Sequence, residues 1–465
     1  MNKISILDIY KQNNHLNKLI TINGWIRNNR FSKIGISFLT VSDGSSTSTI
    51  QVIAKKILCN YFTEIVKLTI GCSVLISGHL KLSKGNLQIY EIYALHIKVL
   101  GWINNPDIYP MSAKQHSIEY IRSYCHLRPR TNLIGVISRI RNTVFQSLNQ
   151  FLNNFGYLWV STPIITSIDT EGSGSMFRVS MLDDNNVNSK INYIRKNNEF
   201  FKKKVFLTVS GQLTLESYAC ALSKVYSFGP TFRAENSNTK KHLTEFWMLE
   251  VEKSFSDIND ISVFAEQLLK NSVADVLNNC MSELLFLQKK IDNTIIHRLN
   301  KFLEINFIHV EYTEIIDILL KNKNIFDEDI LWGKDLSSKQ EKYLVNNHFK
   351  SSVIIQNYPK KLKAFYMRVN DDNNTVAAFD VIIPQVGEII GGSEREDRID
   401  YLDYRMQEIG LNNKNYDWYK DLRRYGTVPH AGFGLGLERL VLFITGINNI
   451  REVIPFPRTV GHADF

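Results

Sequence analysis

The chain has no apolar run long enough to cross a bilayer. Its opening residues, Met1-Asn2-Lys3-Ile4-Ser5, lack the charged and apolar blocks of a secretory leader. No membrane partner is therefore expected, and the expected location is cytoplasmic. The cysteines Cys59, Cys72, Cys125, Cys220 and Cys280 are scattered without a CxxC pair. Reduced core thiols are expected, with no zinc site and no disulfide framework. There is no internal repeat. The glycine-rich run Gly432 to Leu440 lacks the Lys-Ser/Thr ending and the βαβ setting of a phosphate loop, so a Walker or Rossmann reading has little support. What is there is a 465-residue chain, 44% hydrophobic and 22% charged, with the balance of a soluble globular protein of two or three domains. The net charge of +9 favours a polyanionic partner. A genome rich in A and T would also enrich Lys, Asn and Ile, so charge alone does not decide.

Residues 19 to 98 read as short strands with turn punctuation: Leu19–Arg27, Phe38–Gly44 ending in Asp-Gly, Ile50–Ile53, Cys72–Gly78 and Leu87–Ile92, with a helix-like stretch at Leu58–Leu68. Three strands, a helix and two strands is the order of an OB-fold barrel, a common reader of single-stranded nucleic acid. Trp25, Arg27, Arg30, Phe31, Phe38 and Gln51 are the candidates for its face, since rings stack on unpaired bases and guanidinium groups meet phosphates. Trp25 and Phe38 taken singly fit a barrel core at least as well. Residues 101 to 130 read as a linker broken by prolines. From Asn132 to Phe155, Leu133, Val136, Ile137, Ile140, Val144, Leu148 and Leu152 recur at helical spacing.

A strand carrying Pro163 follows, then the loop Thr170-Glu171-Gly172-Ser173-Gly174, a polar surface loop at 183–204, and a helix from Thr214 to Ser223. The segment GPTFRAENSNTKKHLTEFWMLEVE, Gly229 to Glu252, reads as two strands joined by a basic, amide-rich loop. Arg233 ends the first strand, where its planar fork can take a phosphate or carboxylate through two bonds, and Phe246 opens the second, placed to stack on a base. An ordinary hairpin with a cationic loop fits the same residues. Residues 257 to 350 read as helices without chemistry. Further strands are expected at Lys363–Val369, Ala377–Ile383 and Gly387–Arg395, and a strand running into an apolar helix at Gly432–Leu440.

Together these segments resemble the class II aminoacyl-tRNA synthetases, most closely the bacterial-type asparaginyl subgroup, over essentially the whole length. The helix leading to Pro163 is similar to the family's first motif, TFRAENSNTKKHLTEFWMLE to the second and GFGLGLERL to the third. HLRPRTNLIG and VIPFPRT also resemble family segments. The resemblance implies an α+β chain: a five-stranded OB-fold anticodon domain at 1–100, a hinge at 101–130, and a class II catalytic domain at 131–465, an antiparallel sheet flanked by helices with a helical insert near 257–350. It implies L-asparagine, ATP with Mg2+, and tRNA(Asn) as partners, and a homodimer built on the first motif.

It also implies roles. Arg233 bridges the asparagine carboxylate and the α-phosphate, and Arg439 grips the γ-phosphate side and, with Phe246, sandwiches adenine. His242 and Leu243 cover the nucleotide, and Gly434 and Gly436 leave room for it. Glu388 is the magnesium ligand. The aspartyl relatives carry a serine ligand where this chain has Gly391, which leaves Asp380 as a substitute candidate. Glu171 and Gln212 hold the α-ammonium. Arg395 and Glu235 read the carboxamide as an acceptor oxygen and two donor hydrogens. Leu215 stands where aspartyl enzymes place a substrate-reading lysine. Ser175 stands where many relatives carry a glutamate. An aspartyl enzyme, either strict or charging both tRNAs, is the nearest rival, disfavoured by Leu215 and HLRPRT. An asparagine synthetase-like enzyme would not need the barrel. A non-catalytic RNA-binding relative would not need Arg233, Glu388 and Arg439 intact.

Overall fold

The computed structural model describes residues 3–85, 88–112, 114, 116–172, 175–181, 200–411 and 413–465. The chain divides into two compact units, Met1–Arg139 with Phe465, and Ile140–Asp464.

In the first unit, β1 (Leu19–Ser32), β2 (Ile36–Ser42), β3 (Ile50–Lys55), β4 (Ser73–Leu82) and β5 (Tyr90–Gly101) close into a barrel in the order β1-β2-β3-β5-β4. Strand alternation builds it: Ile22, Ile26, Leu39, Val41, Val52, Val74, Ile76 and Ile92 share one core. The helix read at Leu58–Leu68 is instead a series of turns ending in one 3-10 turn, Ile65–Lys67. Tyr61, Ile65 and Leu68 all pack into the barrel core, so the helical spacing reflects burial and not a continuous helix. Leu87, read as the start of the last strand, lies outside the described residues.

The second unit is organised by an eight-stranded sheet in the order β12-β13-β14-β15-β16-β11-β10-β6. Its strands are β6 (Leu158–Trp159), β10 (Lys224–Phe232), β11 (Glu245–Ser254), β12 (Ile308–Glu311), β13 (Val353–Pro359), β14 (Thr375–Ile383), β15 (Gly387–Glu394) and β16 (His430–Gly436). The edge strands β6 and β12 pair in parallel with their neighbours and every other pair is antiparallel. Val376, Ala378, Phe379, Val381 and Ile382 of β14 are all buried, as both faces of a central strand must be when helices cover each side. The helix Tyr312–Lys321 supplies Ile315, Ile316 and Leu319 to the core cluster that includes Val353 and Ile355 of β13, and the helix Ile258–Asn279 lies against β14, β15 and β16. A small sheet of β7 (Ile165–Thr166), β8 (Arg178–Val179) and β9 (Val205–Leu207) stands beside it.

Three expectations change here. Pro163, lacking an N–H to give a ladder, splits the expected strand at 157–165 into β6 and β7. Lys363–Val369 is not a strand; it touches its neighbours through the single bridges Met367–Arg395 and Val369–Val376. The segment 257–350 holds the expected helices and also β12, which joins the main sheet. Of the expected loop at 183–204, residues 183–199 lie outside the described residues, as do Ser173 and Gly174 of the loop carrying Glu171.

Candidate active site

The hairpin β10–β11 pairs Phe232 with Glu245 and Thr231 with Phe246, and the Arg233 amide extends the ladder by donating to the Thr244 carbonyl at 2.9 Å. Beyond it the basic loop is anchored from outside. The Ile450 amide donates to the Lys240 carbonyl at 2.9 Å, and Arg451 donates to Asn238 Oδ1 at 2.6 Å.

Sheet register does the rest. Glu250 lies opposite Gly434, Gly434 opposite Gly391, and Gly391 opposite Asp380, so one row across four strands reads acid, glycine, glycine, acid. Register partners share a face, so the two bare glycines open a floor with a carboxylate at each end. Met248 opposite Gly436, and Glu252 opposite Gly432, flank that row. The result is a cavity of about 430 Å³. Its wall includes every expected catalytic and substrate-binding residue: Glu171, Gln212, Arg233, Glu235, His242, Leu243, Phe246, Glu388, Arg395, Gly434, Gly436 and Arg439.

The charges inside it are held in pairs. Arg233 Nη2 donates to Glu171 Oε1 at 2.7 Å, while its Nε is buried without a partner, a spare donor for a ligand oxygen. Its guanidinium lies 5.6 Å from the Phe246 ring centroid. Arg439, expected to face Phe246 across the adenine, donates to the Glu388 carbonyl at 2.7 Å and lies 3.5 Å from the Glu388 carboxylate. Desolvation works to raise the Glu388 carboxyl, but Arg439, Lys363 and Arg233 outweigh it and hold it below the ordinary carboxylate range. Glu171 is pushed up by burial, with Arg233 opposing. Burial and the nearby Arg439 keep the His242 ring below its ordinary value, and its Nδ1 faces Thr239 Oγ1 at 2.6 Å.

Arg395 is buried and already engaged. Its Nε and Nη2 donate to the two oxygens of Glu252, Nη1 donates to Ser393 Oγ at 2.7 Å, and the guanidinium lies 5.4 Å from the Tyr366 ring. Burial, opposed by Arg395, leaves the Glu252 carboxyl raised to about 7. Behind this pair Glu216, fully buried on the helix Gln212–Leu222, accepts from Gln212 Nε2 at 3.1 Å, the Tyr419 hydroxyl at 2.7 Å and Arg423 Nη2 at 2.9 Å, with His430 Nε2 at 3.0 Å. No sequence motif assigns a role to Glu216 or Glu252. The period-2 spacing Met248, Glu250, Glu252 was the signal that places the last of these on the ligand face.

The family model for class II tRNA synthetases (D, K and N) matches residues 117–460, and an OB-fold nucleic acid binding domain matches residues 20–100. The chain belongs to the class II tRNA synthetases of the D, K and N group. It is 58% identical to the asparagine–tRNA ligase of Buchnera aphidicola subsp. Schizaphis graminum and 51% identical to that of Serratia proteamaculans, each over the full length of both chains. The crystal structure of asparaginyl-tRNA synthetase from Pyrococcus horikoshii complexed with asparaginyl-adenylate superposes with a TM-score of 0.87 at 32% identity, over 100% of this chain and 99% of that one.

For a class II synthetase of this group, two departures gain a location. Leu215 packs with Ala219 and Val225 under its helix and does not line the cavity. The Ser175 carbonyl accepts from the Ala234 amide at 3.0 Å, a backbone tie between the Glu171 loop and the second motif beside the Arg233–Glu171 side-chain bond. The metal question turns on Gly391. A Cβ there would lie 3.4 Å from both Asp380 Oδ1 and Glu388 Oε1, so two carboxylates converge on an empty position. Among the described residues no group of three or more His, Cys, Asp or Glu could hold a metal. Magnesium needs only one or two carboxylates when phosphate oxygens complete its shell, so this pair fits it. Asp380 is also bound by Lys363 Nζ at 2.6 Å.

On the barrel of this class II synthetase, Trp25, Arg30 and Phe31 are exposed, while Arg27, Phe38 and Gln51 are half-buried. Trp25 is therefore not core. Arg30 lies opposite Phe38, and Thr40 opposite both Asn28 and Gln51, so Arg30, Phe38 and Gln51 share the outer face of β1–β3. Phe31, opposite the buried Ser37, falls on the other face near the end of β1. Arg27 sits at a bulge between Ile26 and Asn28, and its Nη1 donates to the Arg130 carbonyl, so this guanidinium is turned to the backbone of the connector.

Proposed function

We propose that the chain activates L-asparagine with ATP to asparaginyl-adenylate and pyrophosphate, then transfers the asparaginyl group to the 3′ end of tRNA(Asn). The observation that carries the reading is the single cavity in which Arg233, Arg395, Glu388 and Arg439 converge from distant parts of the chain, in a protein whose full-length relatives are asparagine–tRNA ligases. In the first step an asparagine carboxylate oxygen attacks the α-phosphorus in line and pyrophosphate leaves. No proton has to move, so alignment and charge neutralisation carry the catalysis. Arg233 bridges the two reacting groups, its unpartnered Nε and the bond now given to Glu171 being the donors it can offer. Arg439 grips the γ-phosphate side, Phe246 stacks on adenine, His242 and Leu243 cover it, and Gly434 and Gly436 leave its space. Magnesium, held by Glu388 with Asp380, neutralises phosphate charge when bound. In the second step a terminal ribose hydroxyl of the tRNA attacks the asparaginyl carbonyl and AMP leaves.

Selection is a matter of donors and acceptors. Arg395, fixed by Glu252 and Ser393, presents its remaining N–H groups to the carboxamide oxygen, and Glu235 accepts from the NH2, with Glu171 and Gln212 on the α-ammonium. Aspartate would set a carboxylate against Glu235. Residues 1–100 form the anticodon domain, reading bases through Trp25, Arg30, Phe38 and Gln51, and 131–465 the catalytic domain. The exposed Leu158 and Trp159 of edge strand β6, which follows the first-motif helix, lie in a homodimer interface. No described helix is long and apolar enough to cross a membrane. The test is ATP–pyrophosphate exchange without tRNA, with each amino acid supplied separately. Exchange with asparagine alone is expected; exchange with aspartate alone would transfer the chain to the aspartyl reading.

A further inference from the structure

Lys241 lies at the tip of the second-motif loop and lines the cavity, while Glu341, on the short helix Ser338–Tyr343, is not part of the cavity wall. The two meet at Gly387, the first residue of β15. A Cβ built there would stand 2.5 Å from Glu341 Oε2 and 3.5 Å from Lys241 Nζ, so the bare glycine lets both head groups converge over its backbone. Lys241 Nζ also donates to the carbonyl of Val386 next door. The carboxylate comes from a fixed support: Ser337 and Gln340 form a reciprocal capping box at the start of that helix, and Gln340 is buried. On the other flank the loop is tied at Asn238 and Lys240 by Arg451 and Ile450. Those bonds fix the loop's path but leave the direction of the Lys241 ammonium to the Val386–Glu341 side.

We infer that Glu341 is a positioning residue for Lys241, holding the ammonium at the cavity edge beside Arg439 so that it meets the phosphate end of ATP. The placement rests on the proposed role of Arg439 at the γ-phosphate. Burial is the largest influence on that ammonium and works against its charge, Glu341 supports it, and Lys342 and Arg439 oppose it, Lys241 and Arg439 lining the same cavity. A flexible four-carbon stem ending in a strongly hydrated charge needs such a partner to be held in one direction. The segment 257–350, which the sequence left without chemistry, thereby contributes to the site through one carboxylate.

The test is a double-mutant cycle on ATP affinity, measured by calorimetry with Mg2+ and without amino acid. ATP binding can then be read whether or not asparagine supports exchange, and failure of the asparagine reading is a separate result. Glu341→Gln and Lys241→Met are each expected to weaken ATP binding by about fivefold, the scale of one ionic contact at a partly exposed site. The double variant is expected to bind no more weakly than Lys241→Met alone, because Glu341 acts through Lys241. A purely structural role would instead lower thermal stability and add independently. Unchanged ATP affinity in Glu341→Gln, or a double variant weakened by the product of the single effects, would overturn the inference.

Discussion

Gly432 has no side chain for a physical reason. A Cβ at that position would lie 2.3 Å from Glu252 Oε1 and 2.3 Å from the Val251 carbonyl, and the second of these cannot swing away. Gly432→Ala is therefore expected to cost about 1–3 kcal/mol as overpacking. Because Glu252 must shift and release Arg395, KM for asparagine should rise while KM for ATP changes little; a melting curve with separate KM measurements checks both. Arg233→Ala should slow adenylate formation by about 10²–10³, as loss of a preorganised donor to developing charge does, which single-turnover kinetics would measure. That Arg233 and Arg439 belong to one site was legible through the resemblance of TFRAE and GFGLGLER to family motifs, and both line the cavity. Partners were not legible. Nothing in the order of residues says that Arg395 is clamped by Glu252 or that Arg439 turns to Glu388, since these contacts join residues far apart in the chain.

The helix Gln212–Leu222 and the residues around it act as one element beneath the Arg395 end of the cavity. Burial alone would raise the Glu216 carboxyl, but Arg423, His430 and Arg395 outweigh it and hold it well below the ordinary carboxylate range. A carboxylate depressed on folding stabilises the fold above its unfolded value and loses that contribution as pH falls. Acidification below the ordinary value of 4.5 is thus expected to destabilise the unit holding this helix, and Glu216→Gln to make that acid dependence shallower. The substitution also leaves the buried Arg423 charge uncompensated, at about 3–5 kcal/mol, seen as a lower denaturation midpoint at neutral pH. At this scale periodicity served well where strands alternate, as in the barrel, and β14, buried on both faces, is legible as a continuous apolar run. Periodicity failed at Leu58–Leu68, where turns bury the same residues as a helix would, and at β12, whose four alternating residues Ile308–Glu311 are too few to stand out between two helices.

For the whole molecule, Leu158 and Trp159 pose the question of assembly. Both are about half exposed, at 52% and 57%, on a two-residue strand at the edge of an otherwise well-covered sheet. Trp159→Asp is expected to shift sedimentation from dimer to monomer; an unchanged sedimentation coefficient would remove this edge from the interface. The order of elements made the barrel readable in the sequence and the resemblance of three motifs implied the class II sheet, whereas the parallel edges of that sheet depend on non-local pairing that no local pattern records. The most direct test of the account is charging of purified tRNA(Asn) with labelled asparagine and, separately, labelled aspartate. Acid-precipitable asparagine at a level matching the acceptor ends, with no aspartate above background, is the expected result. Aspartate carried to the same tRNA would contradict the selection assigned to Arg395 and Glu235.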